Sequence, residues 1–131
     1  MIIGSLSENK EIEKRISITP EIAKKYKGLG FEVLLSEDYG KHLGFNEKQY
    51  KELGVKFISD DKELIEKSDI IIQMSLLEDE KNSLLKAGQI FIGVLNPYDN
   101  KNKLEELLKK KINFFSLELL PRITRAQSMD I

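Results

Sequence analysis

A chain of 131 residues, 33% charged and 40% apolar, has the material for one domain around one ordinary core. Its net charge of −1 gives no general attraction to nucleic acid, the absence of cysteine excludes disulfides and thiolate chemistry, and a single histidine, His42, excludes a histidine metal cluster and leaves little for a Ser-His-Asp triad. No apolar run reaches membrane-spanning length and no basic stretch leads into an apolar core at the N-terminus, so a cytoplasmic protein with no direct membrane insertion is expected.

Residues 1–4 read as a short first strand, and residues 5–18 as a charged connection carrying Glu8, Lys10, Glu11, Glu13, Lys14 and Arg15. Thr19, Pro20 and Glu21 then supply a helix start: an N-cap hydroxyl, a proline in the first turn and an acid facing the helix dipole. Ile22, Ala23, Tyr26 and Leu29 follow at helical spacing, Gly28 and Gly30 close the helix, and residues 31–36 form the next strand. These glycines stand after a helix and before a strand. A phosphate-cradling loop needs the reverse order, so they are read as helix-ending residues. Residues 38–45 form a glycine-bearing loop that holds His42. Asn46 caps a helix running to Leu53 and closed by Gly54, and residues 55–58 form a third short strand.

Residues 60–67 read as another helix, capped by Asp60 or Asp61. Residues 69–74 (DIIIQM) are the continuous apolar run that a parallel strand buried on both faces requires. A helix is expected over 78–86, ending at Gly88, and a fifth strand over 89–95, broken by Asn96 and Pro97. Asp99 or Asn100 opens a helix through Lys110, with Leu104, Leu107 and Leu108 on its apolar face. Residues 112–120 make a sixth strand, which Pro121 ends. Strands and helices thus alternate at roughly 20 residues per unit, for which right-handed crossovers into one parallel sheet are the economical solution. The expected fold is α/β, a flavodoxin-like three-layer domain with about six strands, covering residues 1–131 as a single unit.

Neither a dinucleotide fingerprint nor a Walker loop is present. Three places can carry chemistry. The run Glu13-Lys14-Arg15 is either a solvated charge cluster or a fork donor for a carboxylate or phosphate. Gln73 to Ser75, with Asn96-Pro97, lie at the ends of two inner strands. There Gln73 is either a ligand-facing amide or a strand end meeting water. The last eleven residues, 121–131, place Arg122, Arg125, Gln127 and Asp130 after a strand's carboxyl end with hardly any bulky apolar residue among them. A core has no use for such a run, and in parallel sheets this end is where ligands bind.

The segment PRITRAQSMD resembles the corresponding stretch of the alpha subunit of proton-translocating NAD(P) transhydrogenase, within the alanine dehydrogenase/transhydrogenase N-terminal domain family. Arg122, Gln127 and Asp130 stand at that family's spacing of five and three residues. Arg15 before Thr19-Pro20, the run GLGFEVLLSEDYG, and Leu95-Asn96-Pro97 at the fifth strand's break extend the likeness along nearly the whole chain. The related alanine dehydrogenases usually carry a lysine at the end of strand four and a histidine after strand five, both contacting the keto acid. Here those places hold Gln73 and Asn96 or Pro97, which favours the transhydrogenase branch. Transhydrogenases often keep a lysine near Gln73 as well, so that position departs from both.

The resemblance implies hydride transfer between NADH and NADP coupled to proton movement, with Arg122, Gln127 and Asp130 on a loop against the nicotinamide of NAD(H). Arg15, Gln73 and Asn96 are the further candidates for facing the ligand, no side chain would act as acid or base, and no metal is implied. It further implies NADP(H) on a separate subunit or domain, a homodimer formed through the full alpha subunit, and a place peripheral to the inner membrane beside the NADP-binding and membrane parts. It covers the first third or so of that subunit. The domain is therefore expected to be incomplete relative to the family, with the Rossmann domain outside it, inactive alone, and open on one apolar flank. The other readings are the substrate domain of an alanine dehydrogenase-like enzyme and a non-catalytic interaction module.

Overall fold

Short apolar runs, each released by a helix that its own sequence stops, build a single parallel sheet. The computed structural model describes residues 1–8, 15–77, 79–95 and 99–116. Strand β1 (Ile2–Ser5) is followed by helix α1 (Pro20–Gly28), whose N-cap Thr19 accepts the Ile22 N–H at 3.3 Å. Gly30, at φ +94°, adopts the left-handed turn that ends the helix and frees the chain for β2 (Glu32–Ser36). A single 3-10 turn, Lys41–Leu43, interrupts the loop that carries His42. Helix α2 (Glu47–Glu52) opens on a reciprocal capping box, Asn46 Oδ1 taking the Gln49 N–H at 3.0 Å and Gln49 Oε1 the Asn46 N–H at 2.9 Å.

Strand β3 (Lys56–Ile58) leads to α3 (Asp61–Lys67), capped by Asp60, and then to β4 (Ile70–Gln73). Helix α4 is a single turn, Asp79–Asn82, shorter than the 78–86 its sequence suggests. Beyond it, Leu84 and Leu85 use three-residue turn bonds to Lys81 and Asn82, and the Gln89 side chain takes the Lys86 N–H at 2.6 Å. Those amides are satisfied without a helix. Strand β5 (Ile90–Gly93) follows, then α5 (Lys101–Lys109) and β6 (Asn113–Ser116). Asn100 occupies the N-cap position of α5 without a side-chain cap, and its Nδ2 donates back to the Leu95 carbonyl at 2.9 Å. Residues 117–120 of the expected sixth strand lie outside the described residues.

All neighbouring strands are parallel, in the order β3-β2-β1-β4-β5-β6. The chain winds outward from β1 to β3, then crosses back to place β4 against β1 and winds the other way. The parallel three-layer architecture is the expected one, with two strands on the far side of β1. One face packs Ile3, Val33 and Leu35 against α1 and α2 through Ile18, Ala23, Tyr39, Tyr50 and Val55. The other packs Leu34, Ile71 and Phe91 against α3 and α5 through Leu64, Ile65, Leu104 and Leu107. Leu108, expected on the apolar face of α5, is instead 58% exposed. Ile72, Ile92 and Phe115 stand in register across β4, β5 and β6, and Phe115 at the sheet edge is 55% exposed. Among the described residues no helix is long and apolar enough to cross a membrane.

Candidate functional site

Where the winding direction reverses, adjacent connections leave the sheet on opposite faces and open a crevice at the carboxyl ends of the strands. In this chain that point lies between β1 and β4. Their ladder pairs Ile3 with Ile70 and Gly4 with Ile71, and beyond it side chains take over. The Gln73 amide oxygen accepts the Leu6 N–H at 2.6 Å, and its nitrogen donates to the Leu6 carbonyl at 3.1 Å. Gln73 is 2% exposed. The expectation of a ligand-facing amide is therefore corrected: this side chain is turned inward and holds the end of β1, and its remaining capacity is taken up within the chain, by Ser5 Oγ 3.2 Å from its oxygen and by a hydrogen bond to Glu8.

Around it lies a chain of hydroxyls whose proton direction can be counted. Tyr39 Oη accepts the Ser17 N–H at 3.1 Å and the Ile18 N–H at 3.0 Å, which uses its acceptor capacity. Its own proton must then go to Ser5 Oγ, 2.9 Å away, and the Ser5 proton to the Ile72 carbonyl at 2.6 Å. Burial, reinforced by the Glu8 charge, pushes the Tyr39 hydroxyl up to about 12, against the lowering effect of its hydrogen bonding with Ser5 and with the Ile18 and Ser17 backbone. Tyr50 completes the layer, donating to the Ile18 carbonyl at 2.8 Å and meeting Tyr39 edge to face at 6.2 Å. These bonds tie the segment that begins at Arg15 to the carboxyl end of the sheet. The Arg15 side chain is exposed there.

Ser7 and Ser36 join the ends of β1 and β2: the Ser7 N–H donates to Ser36 Oγ at 2.6 Å, and their hydroxyls lie 2.9 Å apart. Glu8 then crosses the crevice. Its Oε1 accepts the N–H of Met74 and, at 3.2 Å, the N–H of Ser75, while Ser75 Oγ lies 3.4 Å from Oε2. Burial raises the Glu8 carboxyl above its ordinary range, against the lowering effect of the Met74 and Ser75 N–H groups and of the Gln73 and Ser75 side chains. Sequence reasoning passed over Glu8, Ser5, Ser36 and Tyr39. The available signal was small polar residues closing two apolar strands, Ser5 and Ser36, at positions where water is absent.

Asn96, Arg122, Gln127 and Asp130 lie outside the described residues, so of the expected site only Arg15 and Gln73 are described. Among the described residues no group of three or more side chains is placed to hold a metal ion. Among the described residues no glycine cradle for a pyrophosphate faces this crevice, and the Leu6, Met74 and Ser75 N–H groups are bonded to Gln73 and Glu8.

Residues 4–131 match the family model described as "Alanine dehydrogenase/PNT, N-terminal domain". The chain is 37% identical over 134 residues to the first polypeptide of NAD(P) transhydrogenase subunit alpha from Rickettsia prowazekii, covering 99% of this chain and 35% of that protein. It is 32% identical over 136 residues to the protein of the same name from Rhodospirillum rubrum, covering 100% of this chain and 35% of that one. A solved structure of the transhydrogenase from Sinorhizobium meliloti superposes with a TM-score of 0.91 at 28% identity, over 99% of this chain and 39% of that chain. The chain thus spans about a third of the length of the curated relatives it matches. The fold, the order of its elements and a match over almost the whole sequence agree, and the chain belongs to the alanine dehydrogenase/PNT N-terminal domain family.

Proposed function

We propose that this chain is the N-terminal portion of a transhydrogenase alpha subunit, within an enzyme that moves hydride between NADH and NADP and couples the transfer to proton translocation. The observation that carries the reading is similarity over nearly the whole chain to subunits named for that activity. NAD(H) supplies or accepts the hydride, with NADP(H) held by a separate subunit or domain. The task left to the protein is to fix two nicotinamides at transfer distance and keep water away. Arg122 and Gln127 orient the carboxamide and ribose side, and Asp130 fixes their loop or bonds to the cofactor. A fork donor, a two-way amide and an acceptor suit a neutral planar carboxamide better than a metal or a phosphate. Arg15 and Asn96 are the further residues assigned to the ligand. The absence of a pyrophosphate cradle in the described crevice fits a division of labour, in which a further domain of the alpha subunit grips the dinucleotide. The chain alone then binds NADH feebly and is inactive. The assembled enzyme is a homodimer through the full alpha subunit, in the cytoplasm, and meets the inner membrane only through its membrane parts.

The test is single-turnover hydride transfer in an enzyme carrying the full alpha subunit, comparing unaltered protein with Arg122→Ala and Gln127→Ala. Each lost hydrogen bond should cost about 0.5–1.5 kcal/mol in the transfer step, up to roughly tenfold in rate, with a smaller change in NADH affinity. Unchanged rates in both variants would refute the assignment of this loop to the nicotinamide.

A further inference from the structure

The ring of Tyr39 fills its place in the core, where a phenylalanine would do as well, so it is the hydroxyl that needs a reason. Tyr39 is 1% exposed, in the turn that follows β2, and its hydroxyl spends its whole capacity within the chain. It takes the N–H groups of Ser17 and Ile18 and gives its proton to Ser5, which is held in turn by the Ile72 carbonyl. The ends of β1 and β4 thus back the phenol. The phenol in turn holds two successive amides of a segment that belongs to no ladder or helix.

The same segment is fastened from a second side. Tyr50, on α2, donates to the Ile18 carbonyl at 2.8 Å, so both backbone groups of Ile18 are bound to phenols, one from the turn after β2 and one from a helix. Gly40 lets that turn close on the segment: a Cβ there would stand 3.1 Å from Ile16 Cδ1 and 3.2 Å from the Tyr50 hydroxyl. Ile18 is fully buried, whereas Arg15 is exposed. Anchoring Ser17 and Ile18 therefore sets where the chain leaves the core, and with it where Arg15 stands. A planar fork on a long, flexible stem serves a ligand well only when its backbone is held in place.

We propose that Tyr39 and Tyr50 are positioning residues for Arg15: they touch no ligand, and act on hydride transfer by fixing residues 15–18 at the carboxyl end of the sheet. This inference rests on the reading that assigns Arg15 to the ligand. A core role alone would confine the effect of the two hydroxyls to stability.

A double-mutant cycle separates the two roles, read as single-turnover hydride transfer in an enzyme carrying the full alpha subunit, at a temperature well below the unfolding midpoint of every variant. Arg15→Ala and Tyr39→Phe should each slow transfer, the second by about three- to tenfold, because a misplaced contact residue costs rate even when the change is remote from the chemistry. Adding Tyr39→Phe to Arg15→Ala should then alter the rate by less than about twofold, since Tyr39 has no other route to the ligand. Tyr50→Phe removes only the bond to the Ile18 carbonyl and carries the same cycle should Tyr39→Phe fail to fold. Slow transfer in Arg15→Ala with full rates in the tyrosine variants would overturn the proposal. So would tyrosine effects that persist undiminished beside Arg15→Ala. A full rate in Arg15→Ala would overturn it differently, by removing Arg15 from the ligand, and would leave the loop of Arg122 and Gln127 to its own variants.

Discussion

The side chain of Gln73 and the backbone of Leu6 exchange two hydrogen bonds, at 2.6 and 3.1 Å, as two peptide groups do across a ladder. Strands β1 and β4 stop pairing through their backbones at Gly4 and Ile71, and Gln73 carries the pairing on from a side chain. A switch point needs some such device. The strands must part to make a crevice, yet the backbone that lines it is buried and needs partners.

Gln73→Met, which keeps length and removes both polar atoms, leaves the Leu6 N–H and carbonyl unpaired in the interior. The expected loss is on the order of 3 kcal/mol, since each stranded buried group costs about 1–3 kcal/mol. Urea denaturation measures it. A loss below about 0.5 kcal/mol would mean that water serves Leu6 as well as the amide does.

The course of the elements was legible because its signals are local. Thr19-Pro20, Asn46 and the glycines after α1 and α2 each act within a few residues, and a short window contains the whole argument. The site was legible only as a place, the carboxyl ends of inner strands. The role of Gln73 depends on Leu6, 67 residues away, and that of Glu8 on Met74, 66 residues away. No window holds both partners until the crossover through α3 has set β4 against β1. Leu108 shows the converse error. Periodicity put it with Leu104 and Leu107, but a helix of nine residues over a sheet edge buries only a narrow stripe.

Tyr39→Phe removes the group that receives the Ser17 and Ile18 N–H bonds and supplies a proton to Ser5. The variant should lose about 1–3 kcal/mol. The unaltered phenol adds an alkaline signature. Its folded value, raised from 10.0 to about 12, means that its contribution to stability is full below pH 10 and is lost as pH rises through about 12. Denaturation followed across that range should show a decline that is smaller in Tyr39→Phe. Parallel declines would mean that Tyr39 is not protected by burial.

Gly93 admits the close approach of β5 to the end of β4. A Cβ there would run into the Gln73 carbonyl and press on the Leu95 side chain. Because the obstacle is backbone, Gly93→Ala should cost about 1–3 kcal/mol. Gly28→Ala is the control. A Cβ there meets nothing within 4 Å, and the position lies in α1, so that change should be neutral or slightly stabilising. Thermal midpoints of the two variants, read side by side, decide it; an equal effect would remove the steric argument.

Glu8 sets burial against hydrogen bonding, and pH shows which prevails. Burial raises its carboxyl above the ordinary 4.5, so the folded chain holds this proton more tightly than the unfolded chain does. The stability contributed by the neutral acid is therefore fully present below pH 4.5 and is lost as pH rises through the raised folded value. Glu8→Gln has the same shape, stays neutral throughout, and offers the Met74 and Ser75 N–H groups a carbonyl in place of the carboxyl. Relative to this variant, the unaltered chain should lose stability as pH rises above 4.5 and through the raised folded value, then run parallel to it once Glu8 is ionised in both states. Urea denaturation of the two chains at stepped pH measures the difference without interference from their common acids. The opposite slope, Glu8 gaining on Gln as pH rises, would mean that the two N–H donors outweigh the loss of water and that the ionised carboxylate is the form the crevice prefers.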